Sequence, residues 1–441
     1  MTFSPFEAAA ILIVLATLLG YLNYRFIGLP HTIGLTVMGA LASLAVVATD
    51  TFLPLPLEAA EESLLRSIDF SDTLMNGMLS FLLFAGALHV DLTNLLERRW
   101  TVGLLATFGV LASTLLVAAG FKLATSLVGL EVGRLWCLVF GALISPTDPV
   151  AVVGILRSAG MPPIFEAKVV GESLFNDGVG IVVFTILLAA ATGAETFSLA
   201  HAGELFLLEA GGGVLLGLIV GYLGFLLMKS VDEHNIEILI TLSIVMGGYA
   251  LAQRLHLSGP IAMAVAGVLI GNPGVRVAMS ERTREHLLGF WSLLDEILTS
   301  VLFLIIGLEV VAIGSDGGHL LAGLLAVPVV LGARALSIAL PLGLMGRLRR
   351  FAPGTYSMLV WGGLRGGISV ALALTLPAGD MQALLLTATY VVVIFSVAVQ
   401  GTTVGLAAHR LLRRSTAPVL EPPVKDSGKV KPSKAKSGVR K

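Results

Sequence analysis

Four polar side chains crowd one helical turn in GESLFNDGVGIVVF, residues 171–184: Glu172, Ser173, Asn176 and Asp177. On a helix, at 100° per residue, Ser173, Asn176 and Asp177 fall within about 60° of one another, with Glu172 at the edge. Gly180 continues that face and leaves room for a close neighbour. Carboxylate, amide and hydroxyl oxygens are hard ligands that suit an alkali or alkaline-earth cation. The competing reading is a cluster of helix–helix hydrogen bonds.

Two further stretches put polar groups where a helix would break. ISPTDPVAV, residues 144–152, holds Thr147 and Asp148 between Pro146 and Pro149. A proline lacks an N–H and clashes with the carbonyl four residues back, so Ala142 and Ser145 are expected to have freed carbonyls. Freed carbonyls and half-helix ends are ready ion ligands. A plain proline kink would not need the charge of Asp148. WGGLRGGISV, residues 361–370, surrounds Arg365 with four glycines, a density that weakens a helix. A buried arginine needs an anion, and Glu172 is the natural partner.

The elements that position these groups are membrane helices. Of 441 residues 56% are hydrophobic and 13% charged, against roughly 25% charged in soluble domains. Apolar runs of about 18 residues, enough to cross a bilayer, recur along the chain. β-Barrel strands would instead alternate apolar and polar residues. The fold class is all-α and polytopic, with thirteen spans at about 7–24, 31–49, 70–90, 101–126, 135–157, 166–192, 203–228, 235–254, 258–271, 289–313, 318–345, 355–376 and 382–408. Residues 50–69, with Glu58, Glu61 and Glu62, form a loop or surface helix. Residues 409–441 hold ten Lys/Arg and little apolar content, as expected of a disordered cytoplasmic tail. The opening MTFSPFEAAAILIV has no basic stretch or cleavage pattern and reads as a first span.

Several classes are excluded. The lone Cys137 allows neither an internal disulfide nor a Cys-rich metal site and reads as a core residue. A net charge of −1 is uninformative about a nucleic-acid partner, and none is expected. There is no H-E-x-x-H, P-loop, dinucleotide fingerprint or G-x-S-x-G, and a membrane-embedded hydrolase would lack a nucleophile–base pair. No cofactor is called for.

Loop charge sets orientation. With an outer N-terminus, the inner loops carry Arg25, Arg98, Arg99, Arg157, Lys168, Lys229, Arg276, Arg282, Arg284, Arg347, Arg349 and Arg350. The outer loops carry only Arg66, Arg134 and Arg254. This is a strong positive-inside bias. The broken fifth and twelfth spans are seven apart, hence oppositely oriented, as two inverted repeats (spans 1–6 and 8–13) would make them. Interrupted segments at corresponding positions of two halves point to a transport site. Gly213, Gly217 and Gly221 read as helix packing. Asp295, Glu296, Glu309 and Arg334 read as structural, through salt bridges or snorkelling, with part of an access path as the alternative, and His89 reads as a residue near a membrane end.

SPTDPVAV, GESLFNDG and GGLRGGISVALAL, in this order and spacing, closely resemble the monovalent cation–proton antiporters of the NhaP type, relatives of the animal sodium–proton exchangers. FWSLLDEILTSVLFLIIGLEV, residues 290–310, also fits, and the resemblance covers about 1–410. It implies a homodimer in a cell (inner) membrane. Each subunit would have dimerisation helices at about 7–90 and 203–313 and a six-helix core at about 101–192 and 318–408, where the broken helices cross. It implies that Asp177 binds either cation or proton, that Asn176 supports the site, and that Glu172, Ser173, Thr147 and Asp148 complete it. By the same resemblance Arg365 pairs with Glu172. One departure is Ala85, where many relatives carry a glutamate.

The chemistry agrees. A water-exposed aspartate holds no proton near neutrality, whereas a carboxylate withdrawn from water keeps its proton to higher pH. Cation and proton then compete for Asp177. Only the loaded, neutral site crosses a greasy barrier, so the ions exchange without meeting. Asn176 cannot titrate, which predicts one Na+ (or Li+) per H+ and no net charge moved, though Asp148 is a second group that could titrate. The alternatives are K+/H+ exchange, sodium-coupled solute symport, for which no second polar constellation is visible, and a cation channel.

Overall fold

Backbone polar groups in lipid must be satisfied within their own segment, and the described parts of the thirteen apolar runs are mostly helix, except at 145–148 and 362–366, where the backbone unwinds. The computed structural model describes residues 4–52, 77–97, 99–148, 163–193, 198–272, 279–309, 316–346 and 355–405. The expected tail, the acidic stretch with Glu58, Glu61 and Glu62, the fifth span beyond Asp148 and several of the loop arginines lie outside those residues.

In chain order the helices are α1 (Pro5–Leu22), α2 (His31–Phe52), α3 (Leu79–Leu88), α4 (Leu92–Glu97), α5 (Arg99–Leu104), α6 (Val110–Val128), α7 (Arg134–Ile144) and α8 (Pro163–Ala191). There follow α9 (Leu199–Lys229), α10 (His234–Arg254), α11 (Gly259–Leu269), α12 (Glu281–Leu308), α13 (Gly317–Gly346), α14 (Thr355–Trp361), α15 (Gly367–Leu374) and α16 (Asp380–Phe395). π-Turns continue several helices, among them Asn23–Ile27 after α1, Leu105–Gly109 between α5 and α6, and Ser396–Gly401 after α16. Among the described residues nine helical stretches are long and apolar enough to cross a membrane, and three apolar helices are shorter. Thirteen is therefore the number of apolar runs, and these stretches alone do not fix the number of crossings.

Local chemistry accounts for several ends. Ser4 and Glu7 form a capping box at α1, with Ser4 Oγ accepting from the Glu7 N–H and the Glu7 carboxylate accepting from the Ser4 N–H. α6 stops at Gly129, whose φ of +81° suits glycine best.

Two apolar clusters hold the bundle. The larger joins α6, α7, α8, α13, α15 and α16, and includes the stacked Phe121 and Phe140 and the buried Cys137. The second surrounds Trp291 on α12, whose Nε1 donates to Thr241 on α10 at 3.0 Å. Ala85 is packed within that cluster. Gly213, Gly217 and Gly221 lay α9 against α11. A Cβ on Gly213 would lie 2.7 Å from the Ser258 carbonyl, and one on Gly221 would lie 3.0 Å from Ala266 Cα. Small residues here set backbone approach.

Candidate cation site

The first break begins where α7 ends at Ile144. Pro146 removes one intrahelical donor, but the Ser145 N–H turns back to the Ala142 carbonyl at 3.2 Å. The expectation that Ala142 is freed is therefore corrected: a tighter turn satisfies it. The Ser145 carbonyl is different. It accepts from Arg365 Nη1, which also donates to the Pro146 carbonyl at 3.0 Å.

The second break lies between α14 and α15. Here the two unwound segments cross antiparallel, with the Asp148 N–H donating to the Leu364 carbonyl at 2.8 Å as an isolated bridge. Glycine is required by proximity: a Cβ on Gly366 would lie 2.6 Å from Asp148 Cβ and 2.9 Å from its Cγ. Arg365 is 2% exposed and places its charge on the carbonyl end of α7, where a helix dipole favours a cation. Sequence reasoning sought an anion for Arg365 and overlooked these carbonyls. Glu172 is on α8, but its side chain lies outside the described residues.

α8 supplies the third wall. Ser173, Asn176 and Asp177 are 3%, 1% and 3% exposed. Asn176 clamps Thr147 from both sides. Its Nδ2 donates to Thr147 Oγ1 at 2.7 Å, and its Oδ1 accepts from the Thr147 N–H at 3.4 Å. Thr147 Oγ1 also lies 3.0 Å from Ser173 Oγ. Gly180 serves as expected, since a Cβ there would lie 2.7 Å from the Pro146 ring. The crossing thus packs directly on the polar turn of α8.

A cavity of about 90 Å³ opens between these walls, lined by Thr147, Asp148, Asp177, Asp295, Thr299 and Ser369 among others. The structure brings together Thr147, Asp148 and Asp177 on the cavity, with Ser173 and Asn176 behind Thr147 and Arg365 behind the crossing. Three polar residues on the wall were missed or undervalued. Asp295 was read as structural, yet it faces the cavity, and Thr299 follows it by one turn. Their i, i+4 spacing, which puts both on one face of the helix, was the available signal. Ser369 is 1% exposed, and its hydroxyl has no hydrogen-bond partner among the described residues. Arg334 donates from Nε and Nη2 to the Leu359 carbonyl near the end of α14.

Two unwound segments crossing in a bundle of apolar helices, with buried carboxylate and hydroxyl oxygens at the crossing, define an ion carrier. The match to the family model "Sodium/hydrogen exchanger, transmembrane" extends over residues 13–409. The chain is 46% identical over 409 residues to the Na(+)/H(+) antiporter NhaP of Pseudomonas aeruginosa, covering 92% of this chain and 96% of that one. It is 32% identical over 390 residues to the Na(+)/H(+) antiporter NhaH of Halobacillus aidingensis, covering 87% and 92%. Its fold matches the sodium proton antiporter MjNhaP1 from Methanocaldococcus jannaschii with a TM-score of 0.73 at 20% identity, over 92% of this chain and 98% of that one. The chain belongs to the sodium/hydrogen exchanger family. It is a multi-pass membrane transporter that exchanges a monovalent cation for protons, not an enzyme.

Proposed function

We propose that the protein exchanges Na+, and with it Li+, for H+ one for one at a single site on Asp177. The observation that carries this reading is a buried Asp177 on the same cavity as Thr147 and Asp148, beside an Asn176 that cannot titrate. A cation entering the cavity meets the Asp177 carboxylate and the Thr147 hydroxyl, and Asp148 and Ser173 complete the oxygen set. Protonation of Asp177 removes the charge that holds the cation. Either ion leaves the site neutral, and the empty carboxylate is too costly to carry across an apolar barrier.

Glu172 pairs with Arg365 in this reading, so that the arginine balances one carboxylate and leaves Asp177 to the transported ions. A core of about 101–192 and 318–408 rocks against helices at about 7–90 and 203–313, which pair two subunits into a homodimer. The N-terminus faces out and the tail, residues 409–441, faces the cytoplasm of a cell whose inner membrane holds the protein. No cofactor takes part.

The test is acridine-orange dequenching in everted vesicles, with Na+, Li+ and K+ added in turn across mildly acid to alkaline pH. Na+ and Li+ should dequench the dye. Dequenching by K+ alone would replace the sodium reading with K+/H+ exchange at the same site.

A further inference from the structure

The π-turn Ser396–Gly401 interrupts an otherwise regular helix beside the second break. Such turns are rare and concentrate at functional sites. Two of its side chains, Ser396 and Gln400, are 1% and 3% exposed inside the membrane bundle, where an unsatisfied polar group is costly. Neither belongs to the cation site.

Both are fully engaged with the break. Ser396 Oγ accepts from the Arg365 N–H at 2.8 Å and donates to Gln400 Oε1 at 2.8 Å. Gln400 Nε2 reaches the carbonyl of Trp361, the last residue of α14, at 3.5 Å. Trp361 returns to the same helix through Nε1, which donates to Thr403 Oγ1 at 3.0 Å. The unwound segment from Gly362 to Gly366 is thus held at the residue before it by Gln400 and Thr403 and near its end by Ser396. On its other side the π-turn rests on α2, since a Cβ on Gly401 would lie 2.8 Å from Ile33 Cδ1.

We propose that Ser396 and Gln400 are positioning residues for ion exchange: together they brace the second break so that Arg365 stays on the Ser145 and Pro146 carbonyls and Thr147 stays in the cation site. The chain of contacts is continuous. Ser396 fixes the Arg365 backbone, Arg365 fixes the two carbonyls that precede Thr147, and Thr147 Oγ1 meets Ser173 and Asn176. Removing the brace frees the carbonyls without touching a cation ligand.

This rests on Thr147 being part of the cation site, so Thr147→Ala is measured in parallel. Full-length Ser396→Ala, Ser396→Thr and Gln400→Ala are reconstituted, and Na+-driven exchange is followed per folded transporter. Loss of one or two buried hydrogen bonds should raise KM for Na+ by roughly threefold to tenfold while Vmax is retained. Ser396→Thr keeps the hydroxyl and should stay near the wild-type KM. Thr389→Ala is the control, a buried hydroxyl whose bond is to its own helix at the Leu385 carbonyl. It should leave KM unchanged.

An unchanged KM in both Ser396→Ala and Gln400→Ala, with or without a fall in Vmax, overturns the brace. If Ser396→Ala does not fold, Gln400→Ala decides alone. A Thr147→Ala protein with wild-type KM overturns the site reading and the brace with it. A raised KM for Thr147→Ala alone overturns only the brace.

Discussion

Asp177 and Asn176 are neighbours on α8 with opposite duties. Asn176 is committed to Thr147 through both ends of its amide, whereas Asp177 faces the cavity. Removing the charge of Asp177 should therefore leave packing intact and abolish exchange. Asp177→Asn is expected to be recovered as a monodisperse protein with no Na+-driven proton movement in proteoliposomes. Substantial residual exchange would sink the assignment. Thr147→Ala and Ser173→Ala remove neutral oxygens and should raise KM for Na+ by roughly tenfold or less, with protein recovery unchanged. The polar turn was legible because four polar residues on an apolar helix have few bland explanations. The roles within it were not, since a clamp and a ligand look alike in one dimension.

At the scale of elements, the two breaks were legible from proline and glycine, whose backbone effects are local. What each break does with its freed carbonyls was not. Ala142 is satisfied by a tightened turn and Ser145 by an arginine more than two hundred residues away in sequence. Such partners depend on tertiary contact, and no local pattern announces them. The same holds for Asp295, undervalued because nothing in the sequence says that α12 borders the cavity. The crossing itself makes a sharp prediction. Gly366→Ala pushes a methyl group against Asp148. Overpacking of this kind costs about 1–3 kcal/mol, so the thermal unfolding midpoint in detergent should fall and the folded remainder should exchange poorly. Wild-type exchange by Gly366→Ala would mean that the crossing tolerates a methyl group at this contact. Capping is a separate matter. Asp316, outside the spans, accepts from the Gly318 and His319 N–H groups at the start of α13, and these donors hold its carboxyl below its usual range. With a depressed folded value, the cap is complete above the ordinary carboxylate range and is lost only as pH falls through that value. Any change in exchange near neutral pH therefore arises elsewhere.

For the whole molecule, hydropathy and composition made the class plain, because a bilayer leaves few solutions for a backbone. Family membership followed from three motifs on three different spans. Subunit pairing, the relative motion of helix groups and orientation depend on partners and lipid, and they enter as proposals. Charge movement is the global quantity that the site predicts. With Asn176 neutral and one carboxylate cycling between Na+ and H+, an imposed membrane potential should not change the exchange rate in proteoliposomes. A clear voltage dependence would mean that a second group, with Asp148 the first candidate, titrates in the cycle.

Competition at Asp177 is tested most directly by the KM for Na+ measured as a function of pH at saturating proton exchange capacity. If both ions share one carboxylate, KM should rise by about tenfold for each unit by which pH falls once protons dominate the site, while Vmax at saturating Na+ holds steady. A KM that does not change with pH while Vmax falls would contradict a shared site and place the proton on a different group.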